Sequence, residues 1–195
     1  MKKVFLLLLF FPLLQLACDR DGCKTSRYFN TVGVRLIPKA VITTANGMTD
    51  QKTIYNDDSV LFSQFFFDGY LEAEYYSKRT EPASSFFPKA YARDLECANP
   101  GFDGSQEQVS KVYLVALGYY NMNFQPGDTL KNAFLINDKS VDQYVADNSQ
   151  HIKDQFFTIK LLARPNPKQI QGFKLIYQLT NGESYEIYSP RFWIY

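Results

Sequence analysis

Apolar and polar side chains alternate along most of this chain from about residue 30 onward, a pattern that predicts β-strands. Phenylalanine and tyrosine, which favour strands, supply many of the apolar positions. The pattern predicts about eight strands, most clearly at 32–37, 60–67, 70–76, 109–120, 156–162, 173–179, 185–188 and 191–195. The segment 109–120 is apolar on both faces, which is typical of a central strand between two layers.

Proline, glycine and asparagine mark the expected ends of these strands. The first strand is expected to stop at Pro38, because proline cannot donate a hydrogen bond to a neighbouring strand, and the strand Ala40–Thr44 follows it. Asn46–Gly47 predicts a turn. Asp68–Gly69 is expected to close a hairpin between the two aromatic strands that flank it, and Asn181–Gly182 another near the C-terminus.

One segment has the periodicity of a helix instead. Ser140 and Gln143 stand three residues apart and match a capping box, in which each side chain bonds the backbone N–H of the other residue. The apolar positions that follow recur at helical spacing, so the sequence predicts one short helix at about 141–148.

Strands at short spacing, joined by proline, glycine and asparagine turns, favour an antiparallel all-β domain. The predicted fold is mainly β, an antiparallel two-layer, immunoglobulin-like sandwich with one short helix. We expect a single domain at 30–195, preceded by a short polar tether at 18–29.

The first 17 residues are predicted to be an export signal. Lys2 and Lys3 form a basic start, and Val4–Leu14 is an uncharged apolar run of 11 residues. A membrane-spanning helix needs roughly 20 such residues, whereas the hydrophobic region of a signal peptide is about this short.

The end of this signal resembles the lipobox of bacterial lipoproteins. Ala17 places a small side chain directly before Cys18, although Gln15 stands where that family usually has leucine. The resemblance implies cleavage before Cys18 and attachment of diacylglycerol and a further acyl chain, such as palmitate, to that residue. Two or more chains hold a protein on a membrane, since each buried methylene contributes about 0.8 kcal/mol. The alternative is ordinary signal cleavage near Ala17, which would leave Cys18 as a plain thiol.

Charge argues against nucleic acid as a partner. The signal segment holds two of the 21 basic residues and none of the 20 acidic ones, so the mature chain has a net charge near −1. The sequence also lacks the clustered basic face that nucleic-acid binding needs. The expected partners are therefore the membrane, through the lipid anchor, and a glycan or protein ligand.

The cysteines divide into one lipid attachment site and one pair. With Cys18 lipidated, Cys23 and Cys97 remain in an oxidising compartment, where disulfides persist, so we expect them to pair. The alternative is two free thiols. Neither a metal site nor a cofactor is expected, because the chain has one histidine and no close cysteine pair with zinc-type spacing.

Several longer stretches resemble uncharacterised cell-envelope lipoprotein families of Bacteroidota, which contain a domain of unknown function. These stretches are 18–34, Tyr120–Leu130 leading to Phe134, and Gly172–Gly182. The resemblance implies a β-sandwich anchored by lipid to the bacterial outer membrane, on either its periplasmic or its outer side. It implies no catalytic residues.

The polar residues that enzymes commonly use are poorly arranged for catalysis in this sequence. His151 stands in a polar stretch at or beyond the predicted helix end, where a histidine can offset the helix dipole. Glu72 and Glu74 share one strand face and are expected to be solvated rather than to work as a hydrolytic pair. Asp57–Asp58 is typical of a turn, and its alternative as a calcium loop lacks the spacing of an EF-hand.

Tyrosines offer a different kind of site. Tyr75, Tyr76, Tyr119 and Tyr120 are candidates for binding a glycan or a protein, because a tyrosine ring is apolar while its hydroxyl stays hydrated. The alternative is that one residue of each pair faces the core and the other covers a strand edge.

Two classes of function therefore remain. The first is a non-catalytic envelope lipoprotein that binds a ligand or acts in assembly; the second is a secreted glycan or peptide hydrolase with an unrecognised carboxylate site. A flat aromatic face would favour the first class, and a cleft with convergent carboxylates would favour the second.

Overall fold

Eleven β-strands and one α-helix make up the part of the chain that the computed structural model describes, residues 28–44, 46–76, 101 and 103–195. The strands are β1 (Tyr28–Thr43), β2 (Thr49–Thr53), β3 (Ser59–Val60), β4 (Phe65–Tyr76), β5 (Val109–Ala116), β6 (Phe134–Ile136), β7 (Phe156–Leu161), β8 (Ile170–Gln171), β9 (Phe173–Leu179), β10 (Ser184–Tyr188) and β11 (Phe192–Ile194). The helix α1 spans Val141–Asp147, and a short 3-10 helix spans Phe62–Gln64. The prediction of a mainly β fold with one short α-helix is confirmed.

The described strands form three sheets. The largest has five strands in the order β2-β1-β4-β7-β6, and all its pairs are antiparallel. A second sheet, β10-β9-β5, is also antiparallel. The third, β3-β11-β8, contains one parallel pair, between β3 and β11, which the antiparallel prediction did not include.

A shared aromatic core joins the five-stranded sheet to the β10-β9-β5 sheet. Phe67 of β4 lies edge-on to Phe173 of β9, with ring centroids 5.3 Å apart. Phe157 of β7 stacks on Tyr177 of β9 at 5.7 Å. All four side chains are buried, so aromatic side chains of the two sheets contact each other in one core. The two-layer sandwich, its immunoglobulin-like arrangement and the single-domain boundary stay predictions.

Residues 60–76 do not form the predicted hairpin. Asp68–Gly69 lies inside the continuous strand β4, where Gly69 pairs with Leu36 on one side and Phe157 on the other. A Cβ atom at residue 69 would overlap the ring of Phe157. The glycine therefore makes room for a neighbouring aromatic side chain.

Pro38 does not end the first strand either. β1 continues through it, and the Pro38 carbonyl accepts a hydrogen bond of 2.9 Å from the Ile54 N–H, just beyond β2. In a strand, the N–H and C=O of one residue point the same way, so the missing N–H faces the end of β2 rather than β4. The ladder between β1 and β4 consequently loses no hydrogen bond at Pro38.

The other two predicted turns are confirmed. Gly47 has a φ of 75°, and its N–H donates to the carbonyl of Thr44 at 2.9 Å. Gly182 has a φ of 93° and closes the hairpin between β9 and β10. Both angles lie in the left-handed region that glycine adopts readily.

β5 is an edge strand of its sheet and not the predicted central strand. Its free edge is covered by the following segment, since the Leu130 N–H donates to Leu114 at 2.8 Å and the Ala116 N–H donates to Asp128 at 3.0 Å. This segment therefore pairs with backbone groups at the edge that would otherwise be left without partners.

The helix begins as predicted, but only half of the capping box forms. Ser140 Oγ accepts a hydrogen bond from the backbone N–H of Gln143 at 3.2 Å. The Gln143 side chain donates instead to Asp147 Oδ1 at 2.7 Å, one turn further along. Asn148 and Ser149 then bond carbonyls of the last turn through their side chains.

The predicted signal peptide, the lipidation site Cys18 and the cysteine pair Cys23 and Cys97 lie outside the described residues. So does nearly all of the predicted tether. Within the described residues, no helix has the length and apolar character needed to cross a membrane.

Candidate functional site

An aromatic pair lies on the outer face of the five-stranded sheet. Because side chains alternate along β4, Phe67 and Leu71 enter the core while Tyr70 points outward. Tyr70 pairs directly with Phe156 of β7, and their ring centroids are 4.9 Å apart. Phe156 is 69% exposed, which is unusual for so large an apolar side chain within a strand.

Ile37 of β1 extends this surface and is 37% exposed. We call Ile37, Tyr70 and Phe156 the aromatic platform. These side chains line one shallow cavity of about 470 Å³ together with Arg35, Lys39 and Asp68. The platform therefore spans three adjacent strands, β1, β4 and β7.

Both cations beside the platform are neutralised by a carboxylate on the neighbouring strand. The Arg35 guanidinium forms a direct ion pair with Glu72. Lys39 Nζ lies 3.7 Å from Asp68 Oδ2. The platform is consequently an apolar patch between two charge-balanced pairs, which present polar atoms at its margin without a net charge.

Phe156 also lines a second, polar cavity of about 400 Å³ beside helix α1. Lys139 and Asp147 form an ion pair of 2.6 Å in its wall, and the hydrogen bond from Lys139 lowers the pKa of the Asp147 carboxyl. Asn137 also lines this cavity, and its side chain is held in place because its Oδ1 accepts a hydrogen bond from the Thr158 N–H at 2.8 Å. The exposed ring thus stands between an apolar and a polar recess.

Tyr75 and Tyr76 lie at the far end of β4 from the platform. Tyr75 covers the buried ring of Phe29 edge-on, and its hydroxyl hydrogen-bonds the side-chain amide of Gln155. Tyr76 stacks on Tyr28 at a centroid distance of 6.0 Å, and burial and nearby Glu107 raise its pKa. Tyr75 is exposed and Tyr76 is half-buried, so neither is a core residue.

Tyr120 is a core residue, so its prediction as a binding residue is wrong. It is fully buried, its hydroxyl donates to the carbonyl of Ala163, and its ring lies 6.0 Å from Phe173. β5 ends at Ala116, so Tyr120 lies beyond the strand whose alternation predicted its direction. Tyr119 is half-exposed, and its carbonyl accepts from Gln171 Nε2 at 3.4 Å.

Two of the carboxylates considered for catalysis or calcium, Glu72 and Asp58, have structural partners. Glu72 is bound by Arg35, and Glu74 is exposed further along β4. Asp58 accepts from the Tyr55 N–H at 3.1 Å and lies 3.7 Å from Lys52 Nζ. The predicted turn at Asp57–Asp58 is confirmed, with Asp57 at a φ of 64°. The described residues contain no group of three or more histidine, cysteine or acidic side chains that could hold a metal ion.

His151 follows helix α1 and lines a third recess, with Ser105 and Gln150 among its neighbours. The last helical carbonyls are already bonded by the side chains of Asn148 and Ser149. Those two residues therefore cap the helix end, and the predicted interaction of His151 with the helix dipole stays a prediction.

Sequence reasoning missed Tyr70 and Phe156 for a specific reason. The alternation that marks Tyr70 as outward-facing is visible in the sequence, but the expected turn at Asp68–Gly69 separated it from the rest of the strand. The pairing of β4 with β7 joins residues 86 positions apart, and no local pattern reports it.

Comparison with protein-family models, with curated proteins and with solved structures finds no match to this chain. The similarity to envelope lipoproteins therefore stays a prediction, and the site has to be interpreted from its own geometry.

Proposed function

We propose that this protein is a non-catalytic, lipid-anchored lipoprotein of the bacterial cell envelope that binds a glycan through the aromatic platform. The observation that carries this proposal is the outward-facing pair of Tyr70 and Phe156. The two rings are tilted by 43° to each other, and such an exposed aromatic surface favours a binding module over a hydrolase.

The chemistry of the platform suits a sugar. A pyranose ring has an apolar face of C–H groups, which packs on aromatic rings, and a rim of hydroxyls that must keep hydrogen bonds. Arg35–Glu72 and Lys39–Asp68 supply donors and acceptors beside the rings. Because each cation is paired, the platform favours a neutral sugar over a charged one.

The proposed anchor suits display of this surface. Residues 18–27 precede β1, and a fully extended segment of that length spans about 35 Å. A lipidated Cys18 would hold the domain near the outer membrane and leave its platform accessible. The partners of Glu72 and Asp58 support a non-catalytic role, since both carboxylates already stabilise the fold.

Replacing Phe156 with Ala tests the platform. We expect affinity for a bound glycan to fall about 30-fold, since an aromatic residue central to an interface contributes about 2 kcal/mol or more. Titration calorimetry with hexasaccharides of neutral sugars, namely cello-, xylo-, manno-, malto- and chito-oligosaccharides, measures the change. Phe156 is mostly exposed, so the fold should survive its truncation.

Tyr188→Ala is the matched control, because Tyr188 is an exposed aromatic residue on β10, in a different sheet. Equal affinities for the wild-type protein and the Phe156→Ala protein would contradict the proposed platform. If the protein instead cleaved the oligosaccharides in these mixtures into shorter ones, and substitution of a single carboxylate abolished the cleavage, the chain would be a hydrolase.

A further inference from the structure

A further recess lies on the β3-β11-β8 sheet and contains the chain's single tryptophan. Trp193 of β11 pairs with Ile170 of β8, and both side chains line a cavity of about 420 Å³. This volume lies within the range of small-molecule sites, roughly 300–1,000 Å³. The recess shares no lining residue with the platform cavity.

Two glycines form part of this recess and keep it open. Gly118 and Gly172 present bare backbone, and a Cβ atom at residue 172 would lie 3.3 Å from Cγ of Arg191. Neither glycine has a positive φ, so glycine matters at these positions because it lacks a Cβ atom and not because of its backbone conformation. A ligand can consequently approach the floor of the recess closely.

The charge of this recess is the feature that separates it from the platform. Lys168 and Arg191 line it, and neither forms an ion pair with any carboxylate of the described residues, whereas Arg35 and Lys39 both do. The described residues that line the recess include no acidic side chain. Two uncompensated cations beside a tryptophan favour an anionic ligand.

The backbone that carries Arg191 is held in place. Its N–H donates to Asn56 Oδ1 at 2.9 Å, and its carbonyl accepts from the Asp57 N–H at 2.8 Å. A fixed backbone lowers the entropy lost when the side chain binds a ligand. The turn at residues 55–58 therefore positions one of the two cations.

We propose that this recess binds a carboxylate carried on a six-membered ring, with hexuronic acids as the ligand class. Trp193 and Ile170 provide an apolar wall for the ring, and Lys168 and Arg191 provide donors for the carboxylate. A free inorganic anion would leave the apolar wall unused. Lys168, Gln169 and Arg191 are exposed, and this hydrated rim suits a ring that carries hydroxyls better than an aromatic acid. This proposal is independent of the platform.

The single tryptophan makes the test direct, because its fluorescence reports on this recess alone. The full-length protein is titrated with D-glucuronate, and with D-glucose as the matched neutral sugar. We expect a saturable fluorescence change with glucuronate. Glucose should bind at least about tenfold more weakly, because it lacks the carboxylate and so loses an ion pair worth about 1.4 kcal/mol or more. Benzoate and sulfate are titrated in parallel to distinguish an aromatic acid and a bare anion.

Charge-removing variants locate the binding. Arg191→Gln and Lys168→Gln should each weaken glucuronate binding about tenfold, while Lys131→Gln, at an exposed lysine outside the recess, should leave it unchanged. Circular dichroism checks that each variant is folded. Any of three results would overturn the proposal: equal binding of glucose and glucuronate, no saturable fluorescence change with glucuronate up to about 10 mM, or binding of sulfate as tight as that of glucuronate. Tighter binding of benzoate would overturn the assignment to hexuronic acids.

Discussion

Raising the pH above about 10 is expected to destabilise this protein steeply, because three buried tyrosines must ionise when the chain unfolds. Tyr120, Tyr144 and Tyr177 are all buried in the core. Burial raises the pKa of Tyr144 to about 12 and raises the pKa of Tyr120 and Tyr177 further above the usual value. The Tyr144 and Tyr177 hydroxyls are 3.1 Å apart and hydrogen-bond each other.

The direction of the effect follows from proton binding. An unfolded tyrosine, with a pKa of about 10, loses its proton above that pH, while the buried tyrosine keeps it. Each pH unit above 10 therefore favours the unfolded state by up to about 1.4 kcal/mol per tyrosine, or about 4 kcal/mol for three. This loss continues to about pH 12, where Tyr144 begins to ionise in the folded protein.

Urea denaturation at about pH 8, 10.5 and 11.5 measures this loss in the free energy of unfolding. The double variant Tyr144→Phe/Tyr177→Phe removes both members of the hydrogen bond and should abolish about two-thirds of the slope that the three buried tyrosines contribute. Tyr188→Phe, at an exposed tyrosine, should leave the slope unchanged. An alkaline slope of wild-type size in the double variant would show that these residues do not ionise on unfolding.

Replacing Cys18 with Ala is expected to move the protein from the membrane fraction to the soluble fraction almost completely. The change removes the sulfur that would carry the diacylglycerol, and multiple acyl chains are what make such anchoring firm. The measurement is membrane fractionation with a salt wash, together with intact mass for the attached lipid. Cys23→Ala is the matched control and should stay with the membrane.

A Cys18→Ala protein that still sediments with membranes after the salt wash would contradict the proposed anchor. Wild-type protein that starts directly after residue 17 with an unmodified Cys18 would support ordinary signal cleavage instead.

Local patterns predicted the elements that depend on local chemistry. The helix at 141–147 follows from its cap residue Ser140, and the turns at Gly47 and Gly182 follow from the left-handed backbone that glycine allows. Alternation also predicted the strands that place one face in the core, such as β7 and β9. In these segments the signal lies within a few neighbouring residues.

Elements that depend on distant partners were missed or misinterpreted. Gly69 was interpreted as part of a turn because the side chain that requires a glycine there, the Phe157 ring, lies on another strand. β2 was missed because its sequence, TDQKT, is almost wholly exposed and carries no apolar alternation. The platform was missed because Phe156 and Tyr70 meet only after β4 and β7 pair.

Hydroxyl-radical footprinting tests the central claim, that ligand binding covers the outer face of the five-stranded sheet. Aromatic side chains oxidise readily when exposed, and two exposed tyrosines outside the platform, Tyr188 on β10 and Tyr55 in a turn, serve as controls for Tyr70 and Phe156. The protein is oxidised alone and with the neutral hexasaccharides, and peptide masses report each site. We expect oxidation of Tyr70 and Phe156 to fall when a hexasaccharide binds, while Tyr55 and Tyr188 oxidise as before. A bound hexasaccharide that protects Tyr55 or Tyr188 and leaves Tyr70 and Phe156 fully reactive would contradict the claim.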